Sequence, residues 1–316
     1  MEIESGCLSQ QSHSKAVAAI DDFGLCVIPN FFPAELVRKF GEAATADVVH
    51  IARTVVESHG IKLLPSPDAE ANYEEYSQLT TQIVRGHGDK FTLRRGKHMN
   101  ASAEVSDAEE RLRHNASLLA VLEETCLPKV LRRDKAGLDK RKERTMLRRS
   151  SSLLESTSVG AIVALPSSLE SGERKDQRLH VDTEHLYEHA HLPPHYAVMF
   201  LPAVQSAEEL NYAVGQTAFL AGSHVGDVAR RIAATIKSHA QPHVQNQWSI
   251  PDGARDGALL RPHCKAGDVI LFDARTMHFG MANHSPTVHR PLLYVNYVRP
   301  WFSDYQPGGE IIVRHK

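Results

Sequence analysis

The chain has 316 residues, 42% of them hydrophobic, and a formal net charge of −2, which allows one large domain or two ordinary ones and gives no global case for nucleic acid. Cys7, Cys26, Cys126 and Cys264 lie far apart with no Cys-x-x-Cys, which excludes a disulfide framework and a zinc knuckle and suits a reducing compartment. No apolar run approaches the ~18 residues that cross a bilayer, so no membrane association is expected.

Residues 1–12 read as a loose tail, acidic at the start and without a signal-peptide core. The C-terminal Arg314-His315-Lys316 is no Ser-Lys-Leu address, so the expected location is cytoplasmic. Ser14 caps a short helix that Gly24 breaks near Asp22, and Leu25-Cys26-Val27-Ile28 follows as a buried strand. Pro33 opens a helix whose Leu36, Phe40, Ala44, Val48, Ile51 and Val55 recur at helical spacing, up to Gly60. Phe91-Thr92-Leu93 suggests a strand beside the polar cluster Arg94, Arg95, Lys97 and His98. From Asp107 to Cys126 the period is helical again, with Leu112, Ala116, Leu119 and Leu122 inward.

Residues 129–149 carry ten Lys/Arg against three Asp/Glu and no aromatic. This basic insertion reads as a solvated segment; without aromatics it offers no stacking platform for single strands, and no nucleic-acid partner is expected.

Beyond it the pattern turns to β. Val159–Leu165, Tyr196–Leu201, Thr217–Leu220, Asp268–Phe272 and Leu292–Val298 are apolar runs of strand length, and Ala221-Gly222-Ser223-His224 is a turn. Residues 227–239 form an amphipathic helix within an insertion at 226–263. Helices early and short strands late predict a mainly β domain with flanking helices, an all-β barrel or jelly roll at 150–303 behind a helical flank at 13–128.

Asp176-Gln177-Arg178-Leu179-His180-Val181-Asp182 carries the first chemical signal. In a strand, residues i and i+2 face the same side, so His180 and Asp182 can reach one metal ion. With 19 His in the chain, chance placement gives roughly one His-x-Asp, so context must decide. His87-Gly88-Asp89 is a second match, but its glycines mark a turn. His180 follows a polar loop and precedes a strong strand, and His278 stands beyond another strand as third ligand. His284, in a turn, and His289, before Arg290, are its rivals. Two imidazoles and a carboxylate on one face of an ion suit non-haem Fe(II) with open positions for oxygen chemistry. Arg290, heading the last strand, can hold a carboxylate through two parallel hydrogen bonds. His185, His189 and His191 read as polar surface; Tyr187, Phe279, Met281, Trp301 and Tyr305 are candidates for an apolar small-molecule substrate pocket.

Phe23-Gly24-Leu25-Cys26-Val27-Ile28-Pro29-Asn30-Phe31-Phe32, Gln177–Asp182, Gly215-Gln216-Thr217 to Gly222-Ser223-His224, and Ala266-Gly267-Asp268 to His278, Gly280 and Arg290 follow one another over most of residues 14–301. This ordered series resembles the phytanoyl-CoA dioxygenase family of Fe(II)/2-oxoglutarate oxygenases. The resemblance implies a double-stranded β-helix, cupin-like, in one oxygenase domain over residues 1–316. It implies iron on His180, Asp182 and His278, and the distal carboxylate of 2-oxoglutarate on Arg290, with Gln177 and Thr217 lining that pocket. The implied reaction decarboxylates 2-oxoglutarate to succinate, consumes O2 and removes a substrate hydrogen. Related halogenases carry a small residue where Asp182 stands, so its presence favours hydroxylation, with desaturation or ring formation left open. The chain departs from the family pattern at Ala221, where proline is usual, at the basic insertion and at residues 240–263. Two readings stay open beside it: a cupin-like zinc or manganese enzyme that does not use 2-oxoglutarate, and a non-catalytic binding protein. No oligomeric state follows from the sequence.

Overall fold

The computed structural model describes residues 6–59, 90–94, 109–127, 154–164, 166, 176–177, 179–187, 191–203, 214–229 and 259–302. Helix α1 (Gln10–Phe23) starts earlier than the expected cap at Ser14. Its cap is Ser9, whose Oγ accepts the Ser12 N–H at 3.2 Å. Leu8 packs on the core and its N–H reaches Ser117 Oγ, so residues 8–12 are built into the fold and not a tail. Gly24 closes α1 at φ +82°, a conformation costly for any side chain, and a Cβ there would sit 2.5 Å from Thr276 Oγ1.

Strand β1 (Leu25–Ile28) leads to helix α2 (Ala34–His59), preceded by Pro33, with Val37, Phe40 and Ala44 inward. Strand β2 (Lys90–Arg94) follows. The expected single helix from Asp107 breaks at residues 114–115. Asn115 caps helix α3 (Ala116–Thr125) by accepting from the N–H groups of Ser117 and Leu118. The buried face is therefore Leu118, Val121, Leu122 and Thr125, and Ala116 is exposed.

The remaining strands are β3 (Glu155–Ala164), β4 (Tyr196–Pro202), β5 (Thr217–Leu220), β6 (Leu259–Leu260), β7 (Val269–Asp273), β8 (His278–Gly280) and β9 (Arg290–Val298). β6 falls inside the expected insertion and pairs with β5. All described pairings are antiparallel, in a six-stranded sheet of order β1-β7-β4-β9-β3-β2 and a three-stranded sheet of order β6-β5-β8.

The central strands β4, β7 and β9 of the large sheet are buried on both faces, which is why they read as continuous apolar runs. One face, with Met199, Leu201, Val269, Leu271, Leu293 and Val295, packs with the helices. The other, with Val198, Phe200, Ile270, Phe272, Leu292 and Tyr294, packs with Phe219 of the small sheet. Each fully buried side chain of this size contributes about 1.5–3 kcal/mol. The site lies on this second side. Among the described residues no helix is long and apolar enough to cross a membrane. The basic insertion, His87, the cluster Arg95, Lys97 and His98, and most of the helix expected at 227–239 lie outside the described residues.

Candidate metal centre

His180 and His278 face each other as an antiparallel bridge and exchange both backbone hydrogen bonds, at 3.0 and 2.9 Å. A directly opposed pair puts both side chains on one face of the sheet, and the two rings lie 4.4 Å apart. The same pairing continues through Gln177, whose N–H donates to Gly280 O at 2.8 Å. The regular strand expected through Asp182 is absent; the chain bends there, and the N–H groups of Asp182 and Thr183 both donate to Ala274 O. The bend still carries the carboxylate to the imidazoles. Asp182 Oδ1 is 3.8 Å from His180 Nε2 and 3.7 Å from His278 Nε2.

The three ligand atoms lie within 4.8 Å of one another. Atoms so spaced leave a common point about 2–2.5 Å from each, the coordination distance of a transition-metal ion. His278 Nδ1 is 3.0 Å from Thr276 O, which places the ring proton on Nδ1 and turns the Nε2 lone pair toward Asp182. Burial pushes the His278 imidazole below its ordinary value, against the pull of Asp182, which favours the neutral form that a ligand needs. Phe219 stacks on it at 5.7 Å, and Phe272 meets it edge-on at 5.1 Å. The residues present therefore fit a divalent ion bound on one face. The rivals His284 and His289 belong to no such cluster among the described residues.

The Gly222-Ser223-His224 turn supports this strand end. Ser223 Oγ accepts the Met277 N–H at 2.7 Å and donates to Leu220 O at 2.6 Å, fixing the residue before His278. Behind Asp182, Arg275 and Asp273 form a buried pair, with Nε on Oδ1 at 2.9 Å and Nη2 on Oδ2 at 2.5 Å. Burial alone would raise the Asp273 carboxyl; the Arg275 guanidinium overrides it and holds the group below its usual value.

A small pocket, partly open to solvent, is lined by residues of both sheets. Arg290, Gln216 and Thr217 supply its polar groups; Pro202, Ile270 and Leu292 are among its apolar walls. Thr217 pairs with Gly280 and Phe219 with His278, so Thr217 lies on the face of the triad, about 7 Å along the strand. Arg290 is 4% exposed, at the first position of β9. Gln177 is placed differently. It is not part of this lining, and its Oε1 accepts the Gly280 N–H at 2.7 Å, which aligns the two ligand-bearing segments.

His185 is not simple polar surface: its Nε2 is buried, and burial followed by Arg275 pushes the ring down to about 4. His191 is exposed and meets His224 edge-on, while His189 lies outside the described residues. Tyr187 and Trp301 are exposed, Phe279 and Met281 half-buried, and Tyr305 lies outside. Sequence reasoning missed Gln216, the Ala274 anchor and the Ser223 contact. Gln216 and Ser223 carried a signal, their places in the matched segments Gly215-Gln216-Thr217 and Gly222-Ser223-His224.

Among solved structures, the chain resembles the non-heme alpha-ketoglutarate-dependent epimerase SnoN from nogalamycin biosynthesis, at 14% identity and a TM-score of 0.49, covering 95% of this chain and 88% of that one. The carbocyclase SnoK from the same biosynthesis matches at 14% and 0.49, over 92% and 84%. HygX from Streptomyces hygroscopicus, with nickel and 2-oxoglutarate bound, matches at 13% and 0.43, over 95% and 91%. At such scores these likenesses carry no weight in the assignment. No curated protein matches the sequence. The family described as Phytanoyl-CoA dioxygenase (PhyH) matches residues 20–291, most of the chain, with strands β1 to β8, Arg290 at the head of β9 and all three candidate metal ligands; the chain belongs to this family.

Proposed function

We propose that the chain is an Fe(II)/2-oxoglutarate-dependent oxygenase that hydroxylates a small organic substrate. The convergence of His180, Asp182 and His278, with the free Nε2 of His278 aimed at Asp182, carries this reading. Those three side chains would hold the iron, a donor set of two imidazoles and one carboxylate that suits Fe(II) in oxygen chemistry. Iron, 2-oxoglutarate and O2 together supply the oxidising power, with 2-oxoglutarate leaving as succinate and carbon dioxide.

The chain's own residues position and shield. Asp182 is fixed through Ala274, His180 and His278 through each other, and the Phe219 and Phe272 rings exclude water from one side of His278. The buried Arg290 guanidinium in an apolar-walled pocket suits the distal carboxylate of 2-oxoglutarate, with the Thr217 hydroxyl beside it. The two facing antiparallel sheets, with β5 and β8 of one set against β7 and β9 of the other, support a double-stranded β-helix as the finer description. The four free thiols suit a reducing, cytoplasmic setting.

The test is Fe(II)-dependent release of succinate from 2-oxoglutarate, compared in the unaltered protein, His180→Ala and Asp182→Ala. The unaltered protein turns over and neither variant does. Full turnover by Asp182→Ala overturns the ligand assignment. Metal binding with no use of 2-oxoglutarate in the unaltered protein would favour a zinc or manganese enzyme of the same fold.

A further inference from the structure

Two opposed residues that exchange both backbone hydrogen bonds set the pattern of an antiparallel ladder around them. With His180 and His278 as such a pair, the Gly280 and Ala282 N–H groups would regularly donate to main-chain oxygens two and four residues before His180. Instead, the Gly280 N–H donates to Gln177 Oε1 and the Ala282 N–H to Asp176 Oδ1, each at 2.7 Å. Two adjacent side chains thus stand in for two rungs of the ladder, just ahead of the first metal ligand. Asp176 is exposed and belongs neither to the metal cluster nor to the pocket lining.

The two sides of this pairing are not held equally. The segment leaving His278 is tied to β5 through the main chain, since Thr217 pairs with Gly280 and the Met281 N–H donates to Gln216 O at 2.7 Å. Gly215, at φ +69°, lets the two chains approach so closely that a Cβ on it would stand 2.3 Å from Ala282 O. The His278 side chain is 4% exposed, against Phe219 and Phe272, whereas that of His180 is 39% exposed. The His180 segment is joined to β8 through its own exchanging pair, the Gln177 N–H and the two side-chain acceptors. Asp176 makes the outermost of these contacts, on a residue that is 2% exposed. A carboxylate on a backbone N–H is a charge-assisted bond, stronger than one between neutral groups.

We propose that Asp176 is a positioning residue for His180: its carboxylate fastens the segment that carries this ligand to the end of β8. This rests on the assignment of His180 as a metal ligand in the reading above. The role asks for an acceptor at Oδ1 and not for a negative charge, because the donor is a neutral amide. Asparagine offers the same oxygen from the same place. Loss of the acceptor loosens the His180 side of the pair, while His278 keeps its aromatic packing and its contact with Thr276 O.

The test is titration of the whole metal-free chain with Co(II), a divalent ion that suits the same donors, in competition with a chelator. Hydrogen–deuterium exchange of the metal-free protein runs beside it. The variants are Asp176→Ala, which removes the acceptor, and Asp176→Asn, which keeps it and removes the charge. Asp176→Ala should weaken Co(II) by about 10-fold, and Asp176→Asn should stay within about twofold of the unaltered protein. In exchange, Asp176→Ala should lose protection in peptides spanning 176–182 and 280–282 while β4 and β7 keep theirs, and Asp176→Asn should lose none. Co(II) affinity within about twofold in Asp176→Ala overturns the proposal. Equal weakening by the two variants also overturns it, since the carboxylate would then act through its charge on the ion. So does a loss of protection that extends through β4 and β7, which would mark a general loosening. Each of these three leaves the ligand assignment standing. Failure of the unaltered protein to bind Co(II) overturns that assignment, and the proposal with it.

Discussion

Arg275→Met removes the only countercharge that the described structure places against the Asp273 carboxylate in hydrogen-bonding geometry. Both residues are sealed, at 2% and 1% exposure, and the guanidinium also donates through Nη1 to Leu192 O at 3.0 Å. Methionine fills similar apolar volume, so the dominant cost is the stranded carboxylate, about 3–5 kcal/mol for breaking a buried pair from one side. Against the 5–15 kcal/mol typical of a native protein this is a large fraction, and for a chain of this length it corresponds to a fall in Tm of roughly 5–8 °C. The peptide between the pair carries Ala274, whose carbonyl holds Asp182 in place, so the loss also reaches the metal site. Thermal melts of the metal-free protein read the first effect, and competition with a chelator for Fe(II) reads the second. The double variant Asp273→Leu/Arg275→Met removes both charges and should recover most of the lost stability. A single variant melting within about 2 °C of the unaltered protein would refute this account of the pair. So would a double variant no more stable than the single.

Ser223→Ala leaves the Met277 N–H without its acceptor and should cost about 1–3 kcal/mol in urea unfolding, with weaker Fe(II) binding because Met277 precedes His278. An unchanged urea midpoint would contradict the role given to that turn. His180→Ala and Asp182→Ala, at half-exposed positions, should leave the melting of the metal-free protein within about 0.5 kcal/mol of the original while abolishing the metal-dependent rise in Tm. For pH, burial and then Arg275 hold His185 and His195 at about 4, so between about 6.5 and 4 the unfolded chain binds protons that the folded chain does not. Stability therefore rises with pH across that window. Asp273, depressed by Arg275, adds stability that is full above about 3.9 and lost as pH falls through its lower folded value. Urea midpoints of the metal-free protein should drop from pH 7.5 to 4.5, and a flat profile would contradict the burial of these rings.

The strands were legible because burial on both faces makes β4, β7 and β9 continuous apolar runs, and each lies within two residues of the expected span. Gly24 and the 221–224 turn were legible because a left-handed residue and a Gly-Ser pair leave few alternatives. Boundaries set by local side-chain hydrogen bonds were harder to see. Ser9 and Ser14 are equally good caps on paper, and only the packing of Leu8 chooses between them. Asn115 interrupts a sequence of unbroken helical period in the same way. At the site, spacing brought forward His180, Asp182, His278 and Arg290, and the family resemblance added Thr217; the fold clusters the first three and sets Arg290 and Thr217 in the lining of one pocket. Gln177 was legible only as a motif position, and the fold adds that its Oε1 accepts the Gly280 N–H. β8 was missed because three residues are too short to show a period, although their pairing with His180 builds the centre.

The most direct test of the central claim is an anaerobic titration of Fe(II) and then 2-oxoglutarate into the metal-free protein, followed in the visible spectrum, with Arg290→Ala alongside. A metal-to-ligand charge-transfer band that needs both additions, and that requires more 2-oxoglutarate in the variant, is the predicted result. Iron binding without a band at any 2-oxoglutarate concentration would contradict it.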